Sequence, residues 1–344
     1  MGFSSKDDLT DEISANGKFH RADWNKLTHA AAAQADLEDV RHQQVSAAWA
    51  AYFDLLAAQD RLIQVQAIQV SASQLAATAA RRVAAGDLSA QEGARTEIEA
   101  QRAQADVLGL QLEVQRASVA LSQLVHQPAQ ASERALLRAQ TTWPPLAVQD
   151  ALTENMVSAL LDQRADVRAG TERVQAAQAL ADNARALKRS DITLGSSIDH
   201  FPGTSTRLLE LRMQMPLQWG YSYEGEVGRA LAELSQAQDA LERIRLNASN
   251  DMLRLWQDLV SATARAQTYE DNILPRAKRV AEGAELAYNK GAVPLTDLLD
   301  ARRTLRATLL DALGARADHA KALGAWQLRT DPQSLPGRLA ANAP

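Results

Sequence analysis

Residues 207–219 read RLLELRMQMPLQW, with Leu209, Leu211, Met213, Met215, Leu217 and Trp219 at alternate positions and Glu210, Arg212, Gln214, Pro216 and Gln218 between them. A period of two sends the first set to one face of an extended chain and the second set to the other. A strand of about ten residues is long enough to cross a bilayer when tilted. Just upstream, residues 191–200 (DITLGSSIDH) alternate too, with Ile192, Leu194 and Ile198 against Thr193, Ser197 and Asp199, and the FPGTST link carries turn chemistry. Two short strands are not stable alone, because their outer backbone groups need partners, and in a membrane only a closed barrel supplies all of them. The hairpin therefore belongs to something larger.

The remainder of the chain has helical periodicity. Over residues 21–83 apolar side chains recur at helical spacing (Leu37, Val40, Trp49, Phe53, Leu56, Val65, Ile68, Leu75) with no proline or glycine between them. At a rise of about 1.5 Å per residue this one helix reaches on the order of 90 Å, more than a globular core requires. AAGDLS interrupts it: Gly86 supplies a left-handed stop, and Asp87 or Ser89 caps a return helix to about Leu124. Pro128, Pro144 and Pro145 exclude a continuous helix over residues 127–151. Helical pattern resumes over residues 152–188 and leads into the strands. After Gly220 a second long helix runs to about Asn289 with a kink expected at Pro275, followed by KGAVPL and a last helix from about Thr296 to Leu328.

Composition narrows the function classes. The formal charge is −5, with the basic residues spread through the helices rather than clustered, so no nucleic-acid surface is expected. Cysteine is absent, which removes disulfides, thiolate metal sites and catalytic thiols. The six histidines show no close helical pairing with carboxylates, so no metal site and no cofactor are expected; Met213 and Met215 read as lipid contacts rather than copper ligands. No nucleophile, base and orienting group come together, so the chain does not read as an enzyme. No apolar run approaches the roughly eighteen residues of a transmembrane helix, a test that barrel strands escape. The opening MGFSSKDDLTDEISANGK lacks a signal sequence's apolar core and cleavage site.

The two halves repeat. RRVAAGDLSAQEGARTEIEAQRAQADVLGLQLEVQRASVAL answers AYNKGAVPLTDLLDARRTLRATLLDALGARADHAKAL, glycine against glycine, at an offset too long for a solenoid unit. With AGDLSAQEGAR and YNKGAVPLTDLLDAR as the two tips, and LRMQMPLQWGYSYEGEVGRALAEL as a strand with its exit, the chain resembles the TolC family of outer-membrane efflux factors from about Gly17 onward. Residues 17–33 followed by AWAAYFDLLAAQDRL are closest to the CzcC-like branch, which serves heavy-metal (RND-type) efflux.

The resemblance implies a mainly α fold with a small β part: long antiparallel helical hairpins forming an α-barrel protomer of two repeats, plus a β-hairpin of an outer-membrane β-barrel. It divides the chain into an irregular or remnant-strand segment (1–20, with a possible strand at 9–19), a first hairpin (21–126, tip near 85–89), an equatorial segment (127–151), a helix leading to the barrel (152–189), the barrel hairpin (190–219), a second hairpin (220–329, tip near 290–295) and an irregular tail (330–344). Family members begin with a signal sequence and two further strands, so the chain reads as N-terminally truncated. Implied partners are two further copies in a homotrimer, a periplasmic adaptor, an inner-membrane RND-type transporter and outer-membrane lipid. Location would be the outer membrane with a periplasmic extension.

Residue by residue, Asp297 and Asp300 match the acidic rings of the pore gate, lie three apart on one helical face, and in a threefold pore would select cations. Read without the family they are acids favoured at a helix N-terminus. Tyr288 matches the gate tyrosine and Glu92 the acidic position of the first tip. The family's arginine two residues after the second glycine is Val293 here, leaving a Tyr288–Glu92 hydrogen bond as the expected closed-state contact. Arg82, Gly86, Leu88 and Ser89 with Gly291 and Pro294 match the adaptor-receiving tips. The implied function is passive conduction in a tripartite efflux pump. The alternative is a soluble coiled-coil interaction protein in which the alternating segment packs against helices.

Overall fold

The computed structural model describes residues 18–126, 137–140, 142–146, 152–189, 193–201, 205–215 and 220–330. The element order is α1 (Lys18–Ala84), α2 (Ala90–Leu124), α3 (Glu154–Gln163), α4 (Ala165–Ala186), β1 (Thr193–Phe201), β2 (Ser205–Gln214), α5 (Glu224–Gln267), a π-turn (Thr268–Ile273), α6 (Leu274–Asn289) and α7 (Leu295–Thr330). The fold is mainly α with a single two-stranded sheet among the described residues. No described helix is long and apolar enough to cross a membrane. The chain divides into two units, one drawn from residues 1–39 and 158–249 and the other from 40–157 and 250–344.

In the first unit, α4 lays a seam of small residues on α5. Ala177, Ala181 and Ala184 are buried with Ala230 and Leu234, and Val174, Val227 and Ala237 close the edges. Methyl-sized side chains let two helices approach closely, and each added contact is small but collectively large. Ion pairs of Arg168 with Glu38 and Arg173 with Asp36 tie α4 to α1 at the surface, where such pairs contribute little. The sheet is antiparallel, pairing Leu194 with Met213, Ser196 with Leu211 and Ile198 with Leu209. Leu194–Met213 and Ile198–Leu209 are apolar cross-strand pairs, whereas Leu211 faces Ser196, and the ladder is irregular between Asp199 and Phe201.

In the second unit, the residues between the hairpins dock onto α1. Phe53 and Leu56 are buried against Ala320 of α7, with Tyr52, Ala139 and Trp143 packed around them. Trp143 stacks on Phe53 at 5.9 Å and donates its indole N–H to Asp60 at 2.7 Å, while Tyr52 and Gln59 accept the backbone N–H groups of Gln140 and Ala139. An irregular segment has no ladder of its own, so its backbone donors must find such side chains.

Three details depart from the sequence expectations. The helix read over residues 152–188 is broken at Arg164, whose extended backbone (ψ 138°) starts a new helix; its buried guanidinium pairs with Asp166 at 2.8 Å. The kink expected at Pro275 is a π-turn immediately before it, with Leu274 N–H bonded to the carbonyl of Tyr269. This wider turn takes up the backbone disruption that a proline lacking an N–H imposes. Lys18 and Phe19 open α1 and are not part of a strand; residues 1–17, like the tail 331–344, lie outside the described residues. β2 ends at Gln214, and the last positions of the expected strand, Leu217 and Trp219, also lie outside them.

Candidate functional site

The two tips are built alike. At the first, Gly86 (φ +83°) follows α1, its N–H bonds the carbonyl of Val83, and the next N–H, of Asp87, bonds that of Arg82. At the second, Gly291 (φ +74°) bonds Tyr288, and Ala292 bonds Ala287. Both are Schellman caps, which require a left-handed residue and so favour glycine. In each, the glycine and three further residues lead into the return helix: Asp87, Leu88 and Ser89 in one, Ala292, Val293 and Pro294 in the other. The repeat read in the sequence is thus a repeat in backbone hydrogen bonding.

The two return helices start differently. Ser89 caps α2 in a reciprocal box, accepting the Glu92 N–H at 3.2 Å while the Glu92 carboxylate accepts from the Ser89 hydroxyl and N–H at 2.7 and 3.2 Å. The Ser89 hydroxyl, then its backbone N–H, hold the Glu92 carboxyl below its ordinary range. In the second tip the matching cap position is Pro294, which has no N–H to give. Asp297, at the same helical position as Glu92, is therefore not drawn into a box: it is exposed and accepts only the Thr296 hydroxyl, at 3.4 Å. Asp300, three residues on, is 74% exposed, while Leu298 and Leu299 between the two acids are buried. Asp297 and Asp300 share the open face of α7.

Glu92 is thus taken by its own cap and does not bond Tyr288. The tyrosine hydroxyl accepts from Arg82 at 3.3 Å, with the guanidinium 5.9 Å from the ring centroid. Tyr288 also packs on the buried Leu295–Leu298–Leu299 cluster with Leu75. Of the tip residues, Arg82, Gly86, Ser89, Gly291 and Pro294 are exposed and Leu88 is half-buried. Sequence reading did not single out Arg303, which bridges α7 to α2 by pairing with Glu99 and also approaches Asp300 at 3.5 Å. Its three-residue spacing from Asp300 was the available signal.

In the strand set, Leu211, Met213 and Met215 are 77, 71 and 47% exposed, and Leu209 lies in β2. Just beyond, Tyr221 and Tyr223 pack edge to face at 4.8 Å, and the exposed Tyr221 donates its hydroxyl to Glu226. Among the described residues no three His, Asp or Glu side chains converge as a metal-holding group.

The Ser89–Glu92 box yields a pH prediction. Because the folded carboxyl titrates below its unfolded counterpart near 4.5, the box stabilises fully above that value and its contribution is lost as pH falls through the lower folded one. Ser89→Ala is expected to lower the melting temperature by about 2–4 °C at neutral pH. In melts run down to acid pH the gap from wild type should narrow; a gap that widens on acidification would refute the box.

Two long hairpins with duplicated glycine tips, joined through a β-hairpin, define the protomer fold of the TolC-type outer-membrane channels. VceC, an outer-membrane protein of Vibrio cholerae, superposes with a TM-score of 0.74 at 21% identity over 93% of this chain and 77% of its own. CusC gives 0.71 at 20% identity over 93 and 76%. The open-state MtrE outer-membrane channel of Neisseria gonorrhoeae gives 0.68 at 19% over 93 and 73%. In sequence, the chain is similar to the cobalt-zinc-cadmium resistance protein CzcC of Cupriavidus metallidurans, 25% identical over 285 residues. That likeness covers 82% of this chain and 66% of CzcC, just under two thirds. No family model matches.

Proposed function

We propose that the protein is the channel subunit of a tripartite efflux pump in the outer membrane, passively conducting heavy-metal cations from the periplasm to the exterior. The observation that carries this is the bare apolar face of β2: Leu211 and Met213 are more than two-thirds exposed on a two-stranded hairpin that has no other sheet to join among the described residues. Such a face, and the open edges of such a pair, are satisfied in a barrel made with other copies and facing lipid. The aromatic pair Tyr221–Tyr223 just after the strand suits the membrane–water boundary. A homotrimer is supported by exposed apolar residues at heptad spacing on α5, Leu246, Leu253 and Val260, which a neighbouring helix would cover. The exposed glycine tips offer a rigid helical turn to an adaptor's helices.

On this reading Asp297 and Asp300, on one open face, form stacked carboxylate rings around the threefold axis at the narrow end, and the acids rather than any bound cofactor select cations. Pro294 keeps Asp297 available for that role. The similarity to CzcC supports divalent heavy metals as cargo. Replacing both aspartates with alanine is expected to weaken block of the reconstituted pore by Co²⁺ or Zn²⁺ by about tenfold or more, the loss of roughly 1.4 kcal/mol of ion binding. Planar-bilayer recordings decide the matter. Unchanged block sinks the ring, and a folded chain that stays monodisperse without detergent and forms no channel sinks the conduit in favour of a coiled-coil interaction protein.

A further inference from the structure

Behind the tips, Ala72 of α1, Ala103 of α2 and Ala281 of α6 face a common space walled on the α7 side by Leu299. Three methyl groups from three helices do not fill a four-helix interior, and a hollow of about 190 Å³ remains. Leu75 and Ile68 extend its apolar wall. Thr96, 1% exposed, donates its hydroxyl to the Gly93 carbonyl at 2.7 Å and so brings no free donor to the space.

The mouth is charged but self-satisfied. Each guanidinium at the rim already has a carboxylate: Arg302 with Glu285 at 3.2 Å, Arg303 with Glu99, and Arg306 with Asp106 at 2.5 Å. Glu282 adds a further acid to the lining. An anion entering here would displace an existing pair and meet a net negative rim, whereas a neutral apolar guest gives up nothing. An apolar cavity of about 150 Å³ in another protein stays dry and binds benzene. The space here is somewhat larger, its apolar wall made by Ile68, Ala72, Leu75, Ala103, Ala281 and Leu299 with the half-buried Ser71 beside them and the charged groups at the mouth, and it has room for a second fused ring.

We propose that this cavity is a binding site for neutral aromatic molecules of one or two fused rings, and that an occupant fastens the first hairpin to the second. The walls come from α1 and α2 on one side and α6 and α7 on the other, so a bound ring adds dispersion contacts across the seam that the alanines leave empty. The binding is independent of the channel reading. Were that reading also to hold, the occupant would oppose any parting of the hairpins.

The test is thermal melting of the full chain with 2-naphthol, beside the charged isostere naphthalene-2-sulfonate. Wild type should show a saturable rise of about 3–6 °C with 2-naphthol at ten times its Kd and no rise with the sulfonate. Ala103→Leu, which puts a branched side chain into the space, should abolish the 2-naphthol response; Ala72→Leu, on the less buried α1 wall, serves the same purpose if the first variant does not fold. The absence of a saturable rise in wild type, an equal rise with the sulfonate, or a folded filling variant that responds like wild type would each overturn the site.

Discussion

Gly324→Ala is expected to destabilise the protein by about 3 kcal/mol or more, lowering the melting temperature by roughly 6–12 °C. In most helix interiors the same change stabilises by about 0.5–1 kcal/mol, because glycine loses more backbone freedom on folding. The sign reverses here because the Trp49 indole lies on the glycine. A Cβ would sit 2.0 Å from Nε1, 2.2 Å from Cδ1 and 2.8 Å from Cε2. The ring is rigid and cannot give by bending a chain end. It can only swing away, which would break its N–H bond to the Ala320 carbonyl at 3.4 Å and its contact with Phe53, ring centroids 5.5 Å apart. Phe53 in turn holds Trp143 and the docked segment, so the disturbance reaches that irregular stretch. Trp49→Ala in the Gly324→Ala background should recover part of the loss, a coupling measurable in a double-mutant cycle. A single variant melting at or above wild type would show that the indole has another place to go.

The features legible in the sequence were those with a period or a punctuation mark. Alternation over residues 207–219 marked a strand, and the register pairs Leu209 and Met213 with apolar partners on β1. Gly86 and Gly291 announced turns because only a left-handed residue closes both hydrogen bonds of the cap. What escaped has neither. The break at Arg164 is a one-residue change of ψ within a periodic stretch that contains no proline there, and it is stabilised by an ion pair that periodicity does not register. The exchange of partners at the tips, Tyr288 to Arg82 and Glu92 to Ser89, turns on competition: a hydroxyl three residues away reaches the Glu92 carboxylate more cheaply than a tyrosine distant in sequence. Gly324 looked like any helical glycine, because its reason is an indole 275 positions earlier. The contrast between Ser89 and Pro294 was present in the sequence from the start; its meaning needed the observation that both occupy the cap position of equivalent helices.

Met213→Lys should separate the membrane reading from its rival. A lysine on the lipid face of a barrel strand costs about 2–4 kcal/mol near the bilayer midplane and much less near the interfaces. Met213 is 71% exposed and sits opposite Leu194, at a position of the apolar set, so on the channel reading the ammonium would meet hydrocarbon in every subunit of the trimer. Three such costs in one assembly amount to roughly 6–12 kcal/mol, comparable to the whole stability of a domain. The expected result is loss of incorporation into outer membranes or detergent-resistant trimers, with helical content retained because β2 lies far along the chain from the tips. Gln214→Lys makes the neighbouring control. It adds the same charge one residue on, where the pleat directs the side chain to the polar face, and incorporation should stay near wild type. Fractionation of cells expressing each variant reads the outcome directly. If both lysines are tolerated, the face of β2 does not meet lipid; if both abolish incorporation, charge on the hairpin is harmful regardless of face, and the alternation no longer argues for a barrel wall.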